Sequence, residues 1–164
     1  MPGISQYSMT SIKKNLLVVI HFQAMEEYPE ECCGVILGNP QNSEEDIVVR
    51  CANIQNQLHE SDPENYPRDA KTAFSIDPRD LLAIGKKTRT NGWTIKTFYH
   101  SHPEHDAYFS NEDKKMALSE WGEPWYPDAT HLVISVYNGE IKDQALFAWD
   151  SEKEQFEEQP KESI

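Results

Sequence analysis

The sequence predicts one mixed α/β domain, a mixed β-sheet flanked by helices, and three observations carry that expectation. Segments with helical spacing of apolar residues alternate with short extended-type runs along the chain. The length of 164 residues suits a single hydrophobic core. A content of 38% hydrophobic and 26% charged residues belongs to a chain that buries an ordinary core.

In chain order, Ile12, Leu16, Val19 or Ile20, Ala24 and Tyr28 recur at three- and four-residue intervals, predicting an amphipathic helix with Ser11 as N-cap and Pro29 as stop. Cys32 to Leu37 and Asp46 to Ala52 are short apolar runs on either side of Gly38-Asn39-Pro40, the pattern of a hairpin. Asn53 to Thr72 is polar, holds two prolines and has no period, so it reads as a long loop that could serve as a lid. Phe74 to Ile76 reads as a brief strand. Asp77-Pro78 then opens a helix running to Asn91-Gly92. Trp93 to His102 is extended, and Ser110 to Trp121 is a third helix. Strands follow at His131 to Tyr137 and Gln144 to Trp149, with Asn138-Gly139 as the turn between extended segments. The four tryptophans, Trp93, Trp121, Trp125 and Trp149, read as core or core-edge residues. From Asp150 the chain is charged and expected to fray. Residues 1–11 therefore form an N-terminal extension, 12–150 the domain and 151–164 an acidic tail.

Charge excludes some partners. Fifteen Lys and Arg against 28 Asp and Glu give a net charge of -13, which repels nucleic-acid phosphates and anionic membrane surfaces. Cys32, Cys33 and Cys51 form neither a disulfide framework nor a CxxC pair, the usage of a reducing cytoplasm. The apolar run Leu16 to Ile20 is too short for a signal-peptide core or a spanning helix.

The chemistry is concentrated in Tyr99-His100-Ser101-His102-Pro103 and Ser110-Asn111-Glu112-Asp113. Residues two apart on a strand share a face, so His100 and His102 project side by side, and Ser101 points the other way. Pro103 ends the strand, and seven residues, Pro103 to Phe109, lead to a helix whose first turn carries Asp113. Two histidines and a carboxylate make a three-ligand zinc site with its fourth position open to water, as in catalytic zinc sites. For this composition, H-x-H-P, six residues, S-x-x-D arises by chance with a probability of roughly 5 in 100,000, so the pattern is a signal.

These residues resemble the JAMM, or MPN-plus, zinc metalloprotease family, whose pattern is an upstream glutamate followed by H-S/T-H-P, six residues and S-x-x-D. Tyr28-Pro29-Glu30-Glu31-Cys32-Cys33-Gly34, followed by Val35 to Gly38, is similar to the family segment that carries the glutamate. The resemblance runs from about residue 12 to about 150 and looks like the stand-alone prokaryotic branch. It implies an MPN-type domain of cytidine-deaminase-like architecture. Carried over residue by residue, it implies that His100, His102 and Asp113 bind Zn2+, that Glu31 is the general base for the attacking water, and that Ser110 donates to the oxyanion. Glu31 rests on the family register, with Glu30 as its neighbouring alternative. The implied substrates are ubiquitin-like sulfur-carrier proteins, cut after Gly-Gly or relieved of an attached cysteine. Asn53 to Thr72 and Pro103 to Phe109 would flank the groove for the substrate's tail.

Other readings draw on the same residues. Ser110 to Asp113 also reads as a helix capping box. His100-x-His102-x-Glu104-His105 resembles a metallo-beta-lactamase motif, although only His131 follows as a later histidine. His102-Pro103-Glu104 fits the zinc-deaminase H-x-E, but no P-C-x-x-C follows. A non-catalytic scaffold of the same fold is the rival from another class, and intact ligands count against it. His21, His59, His105 and His131 read as surface or packing residues, and Cys32 and Cys33 as strand residues near the site.

Overall fold

A computed structural model describes residues 11–164, so the expected N-terminal extension lies, apart from Ser11, outside the described residues. The elements are α1 (Lys14–Glu27), β1 (Cys33–Asn39), β2 (Asn42–Cys51), α2 (Gln55–Ser61), α3 (Pro78–Asn91), β3 (Thr94–Pro103), α4 (Asn111–Ala117), β4 (Thr130–Tyr137), β5 (Glu140–Asp150) and β6 (Gln155–Glu158). A short 3-10 turn, Lys161–Ser163, closes the chain. The strands form one sheet in the order β2-β1-β3-β4-β5-β6. Only β3 and β4 run parallel, joined through the segment that contains α4; the other neighbours are antiparallel. The sheet is therefore mixed and flanked by helices, as the sequence predicts.

Strand alternation divides the core into two layers. On one face, α1 lays Leu16, Ile20 and Ala24 over Cys32, Ile36, Tyr99, Leu132, Ile134, Val136 and Leu146. Spacings of four residues put these three helix positions on one stripe. Gln23 lies on the same side and is fully buried, yet satisfied: it donates to Glu27 Oε2 (2.9 Å) and the Cys33 carbonyl (3.0 Å) and accepts from Tyr99 Oη (2.5 Å). The Tyr99 ring fits beneath α1 because its cross-strand neighbour is Gly34, where a Cβ would lie 2.2 Å from Tyr99 Oη. On the opposite face, Cys33, Val35, Leu37 and Ile84 of α3 form one cluster, and Phe109, Val133, Ala145, Phe147 and Phe156 form another.

Local signals account for several boundaries. Asp77 caps α3 by accepting from the Arg79 amide (2.9 Å), with Pro78 at the first helical position, where no amide proton is needed. Asn138 and Gly139, at φ 55° and 81°, make the tight β4–β5 turn, a left-handed pair that asparagine and glycine tolerate.

Elsewhere the structure corrects the sequence. Ser11 does not cap α1; its hydroxyl donates to the Glu162 carbonyl (2.7 Å) and Lys13 occupies the cap position. Asn53 to Thr72 contains α2, a helix with Gln55 as its buried residue and so without an apolar stripe to betray it. Phe74 to Ile76 contributes only the isolated bridge Asn53↔Ile76. The helix after Ser110 stops at Ala117, since Leu118 turns out to bridge Pro124. Trp121 and Trp125 are 82% and 63% exposed, not core. The chain beyond Asp150 does not simply fray, because β6 pairs with β5 and buries Phe156 against Trp149. Among the described residues no helix is long and apolar enough to cross a membrane.

His131 packs among Phe98, Phe109 and Phe156. Burial, helped by the nearby His100 and opposed by Asp113, pushes its imidazole down to about 4. The unfolded chain then takes up the proton first, so this contribution is fully present above about 6.5 and is lost as pH falls toward 4. Between pH 7 and 4.5, wild type should lose ~2–3 kcal/mol more stability than His131→Phe. Urea unfolding at the two pH values measures the difference, and parallel losses would refute it.

Candidate metal centre

The β3 strand places Tyr99 and Ser101 against the α1 layer and turns His100 and His102 to the opposite face, between the two apolar clusters there. Ser101 points away from the imidazoles as expected. It is buried, and its hydroxyl accepts from the Cys32 amide (2.8 Å), fixing the start of β1 beside the end of β3.

After Pro103 the chain turns at Glu104, whose φ is 61°. Its carboxylate accepts from the Asn138 amide (2.6 Å) and from the Tyr28 hydroxyl. Ser135 Oγ donates to the His105 carbonyl (2.5 Å), and Tyr137 Oη donates to Asp106 Oδ1 (2.9 Å). Thus pinned to β4, the turn offers the Asp106 carbonyl to His102 Nδ1 at 2.9 Å. A carbonyl can only accept, so Nδ1 carries a proton, and Nε2 is the ring atom turned toward Asp113.

Ser110 then begins α4 with a capping box: Ser110 Oγ accepts from the Asp113 amide (3.1 Å), and Asp113 Oδ2 accepts from the Ser110 amide (3.0 Å). The helix cap aims Asp113 at the histidines. His100 Nε2 and His102 Nε2 are 3.1 Å apart, and Asp113 Oδ2 lies 3.1 Å from the first and 3.2 Å from the second. All three residues are buried, and among the described residues they are the one group of three or more His, Cys, Asp or Glu side chains that could hold a metal ion. A tetrahedral ion with bonds of ~2.0–2.1 Å separates its ligands by about 3.3–3.4 Å, close to the observed triangle. The donor set fits as well, since convergent imidazole nitrogens and a carboxylate oxygen suit a divalent transition metal. Burial opposes ionisation of Asp113, but the two imidazoles outweigh it and hold the carboxyl below its usual range. Burial lowers His100, with Asp113 pulling the other way.

Glu31, just before β1, is 5% exposed, and its Oε1 has no hydrogen-bond partner among the described residues. Burial, reinforced by the charge of Asp113 and partly offset by Arg68, lifts its carboxyl well above the ordinary value. Glu30 is occupied differently, accepting from Asn56 Nδ2 (3.0 Å). The two neighbouring acids are thus distinct: one is aimed into the interior near Asp113, the other is tied to α2. Ser110 Oγ uses a lone pair for the cap, and its proton has no acceptor among the described residues.

His21 and His59 are engaged elsewhere, with Gln144 and the Tyr66 carbonyl. Glu104 and His105, which the lactamase-like motif requires as partners, are held by Tyr28 and Asn138 and by the Pro103 carbonyl. Phe74 was legible only as a strand residue, yet its ring stacks on His100 at 4.5 Å and 25°. No periodicity marks such a contact, because it is made across the fold from an irregular segment.

Residues 13–151 match the family model described as prokaryotic homologs of the JAB domain. Desampylase from Haloferax volcanii is 26% identical over 65% of this chain and 63% of its own, so the match spans less than two thirds of that relative. CysO-cysteine peptidase from Mycobacterium tuberculosis is 24% identical over 76% of this chain and 71% of its own. A solution structure of a protein from Desulfitobacterium hafniense aligns with a TM-score of 0.65 at 24% identity, covering 92% of this chain and 89% of that one. Another, from Salinibacter ruber, aligns at 0.56 and 21% identity over 92% and 88%. With most of its length matched and the mixed sheet in place, the chain belongs to the prokaryotic JAB-domain family, the JAMM-type resemblance read from its histidines, aspartate and upstream glutamate.

Proposed function

We propose that this chain is a zinc-dependent amide or isopeptide hydrolase that acts at the C-terminus of ubiquitin-like carrier proteins. The observation that carries the reading is the buried triangle of His100, His102 and Asp113, with Glu31, whose buried Oε1 has no partner among the described residues, close enough to feel the charge of Asp113. These three residues would hold the ion, and zinc, when bound, polarises a carbonyl and lowers the pKa of water toward ~7.

Glu31 takes a proton from the attacking water and returns it to the leaving amine. A carboxyl raised by burial suits both halves of that task, because it holds a proton more firmly than an exposed glutamate. The free proton of Ser110 is available to the oxyanion that develops on the carbonyl. The bond from His102 Nδ1 to the Asp106 carbonyl would leave Nε2 as the atom that holds the ion. The substrate class draws support from the relatives named desampylase and CysO-cysteine peptidase. A Gly-Gly tail is slim enough to lie extended in the groove we assign between the 53–72 segment and the turn after Pro103.

The direct experiment incubates the purified protein with ubiquitin-like carriers that each bear a C-terminal extension. Mass spectrometry should show loss of the extension, abolished by a chelator and restored by zinc. No cleavage by zinc-loaded protein of any carrier or cysteine adduct would overturn the reading. Elemental analysis should find one zinc per chain, and Asp113→Ala should strip most of it. Wild-type occupancy in that variant would refute the ligand assignment. Glu31→Gln should retain zinc while turnover falls by ~100-fold or more, whereas Glu30→Gln should change little. Reversal of those two effects would shift the base by one residue.

A further inference from the structure

We infer that Asn53 is a positioning residue for this site: its carboxamide ties the backbone of Glu31 to the segment that lays Phe74 on His100. The inference rests on the hydrolase reading for its consequence in turnover, but the contact itself is independent of it. Asn53 follows β2 and uses its whole hydrogen-bonding capacity. Nδ2 donates to the carbonyls of Glu31 (2.9 Å) and Ala73 (3.2 Å), and Oδ1 accepts from the amides of Gln55 (3.0 Å) and Ser75 (3.0 Å). Ala73 and Ser75 bracket Phe74, whose ring stacks on His100. A single side chain therefore joins the strand end that carries Glu31 to the residue that covers one metal-ligating imidazole.

The need for such a tie follows from the state of Glu31. Its Oε1 lacks a partner among the described residues, so little in the side chain itself fixes where the carboxyl sits. Its backbone must fix it instead, and does so from both sides of the peptide: the Glu31 amide donates to the Ala70 carbonyl (2.7 Å), and its carbonyl accepts from Asn53. Ala70 is in turn held by Asn56 Oδ1 (2.8 Å), in α2 just beyond Asn53. Aspartate at 53 would keep the acceptor but set a second oxygen against two carbonyls. Alanine would leave two carbonyls and two amides without their partner. Since misplacing a reacting group by about 1 Å can cost 10²-fold in rate, loss of this grip should be felt in turnover.

The test compares Asn53→Ala and the near-isosteric N53D with wild type, each normalised to bound zinc. Zinc per chain should remain within 2-fold, kcat on an extended carrier should fall ~10- to 100-fold, and KM should move less than 3-fold. In an E31Q background the same substitutions should cost less than 3-fold more, because a group that acts through Glu31 has nothing left to position. In metal-free protein, the NMR resonances of the His100 ring protons, shielded by the Phe74 ring, should shift downfield in either variant. Full turnover per zinc, additive losses in the E31Q background, or unmoved His100 resonances would overturn the proposal. Loss of fold in both variants would also overturn it, leaving Asn53 a purely structural role. If wild type cleaves no carrier, the hydrolase reading fails by itself, and the His100 resonances still decide whether Asn53 sets the Phe74 contact.

Discussion

Two-residue alternation along β3 is the constraint on which the rest of the structure depends. This strand lies inside the sheet, paired with β1 along one edge and with β4 along the other, and its residues from Tyr99 to Pro103 are buried on both faces. One face must serve the core, and Tyr99 and Ser101 do so by meeting Gln23 of α1 and the Cys32 amide. The other face is then obliged to carry His100 and His102 together. A slip of one residue would exchange the two sets, driving imidazoles into the α1 layer and leaving a tyrosine where the two histidines stand. Packing on one side of the sheet thus places the two imidazoles on the other.

The second requirement is that a residue from a different element reach the same point. Asp113 does this through the first turn of a short helix. Its carboxylate closes a capping box with Ser110 and faces both imidazoles with the same oxygen, Oδ2. Capping and the proposed ligation are therefore not competing uses of the S-x-x-D sequence. The cap restricts where the carboxylate can go, and aspartate, shorter than the glutamate or glutamine usual at this position, keeps that oxygen close to the helix start.

How much of this was legible in the chain follows from the range over which each signal acts. The convergence of His100, His102 and Asp113 could be read because their geometry is set by local rules: period two on a strand, a proline that ends it, and a cap at fixed spacing. The Asn138-Gly139 turn and the Asp77-Pro78 helix start were readable for the same reason. Glu31 could be reached only through family register, since nothing in Glu30-Glu31 distinguishes two adjacent acids until the fold buries one and ties the other to Asn56. α2 escaped because Gln55 is its buried residue, so no apolar period marks it. β6 escaped because Phe156 alone carries its burial among acidic neighbours. Trp121 and Trp125 misled in the opposite direction, because hydrophobic character predicts burial only on average and both lie on the exposed stretch after α4.

The segment between β2 and α3 is best understood from the electrostatics it surrounds. Asp113 and Glu31 bring two carboxyls into one buried region, and burial first, then the charge of Asp113, raises the cost of ionising Glu31. Left to itself, such a group would swing toward water. The polar composition of residues 53–75 supplies the opposing force: Asn53, Gln55 and Asn56 hydrogen-bond to the backbone at Glu31, Arg68, Ala70, Ala73 and Ser75. What reads in sequence as a loop without hydrophobic period is a strap stabilised by side-chain amides that grip the backbone next to a buried carboxyl. An apolar strap could cover the site, but it could not grip the peptide that carries Glu31.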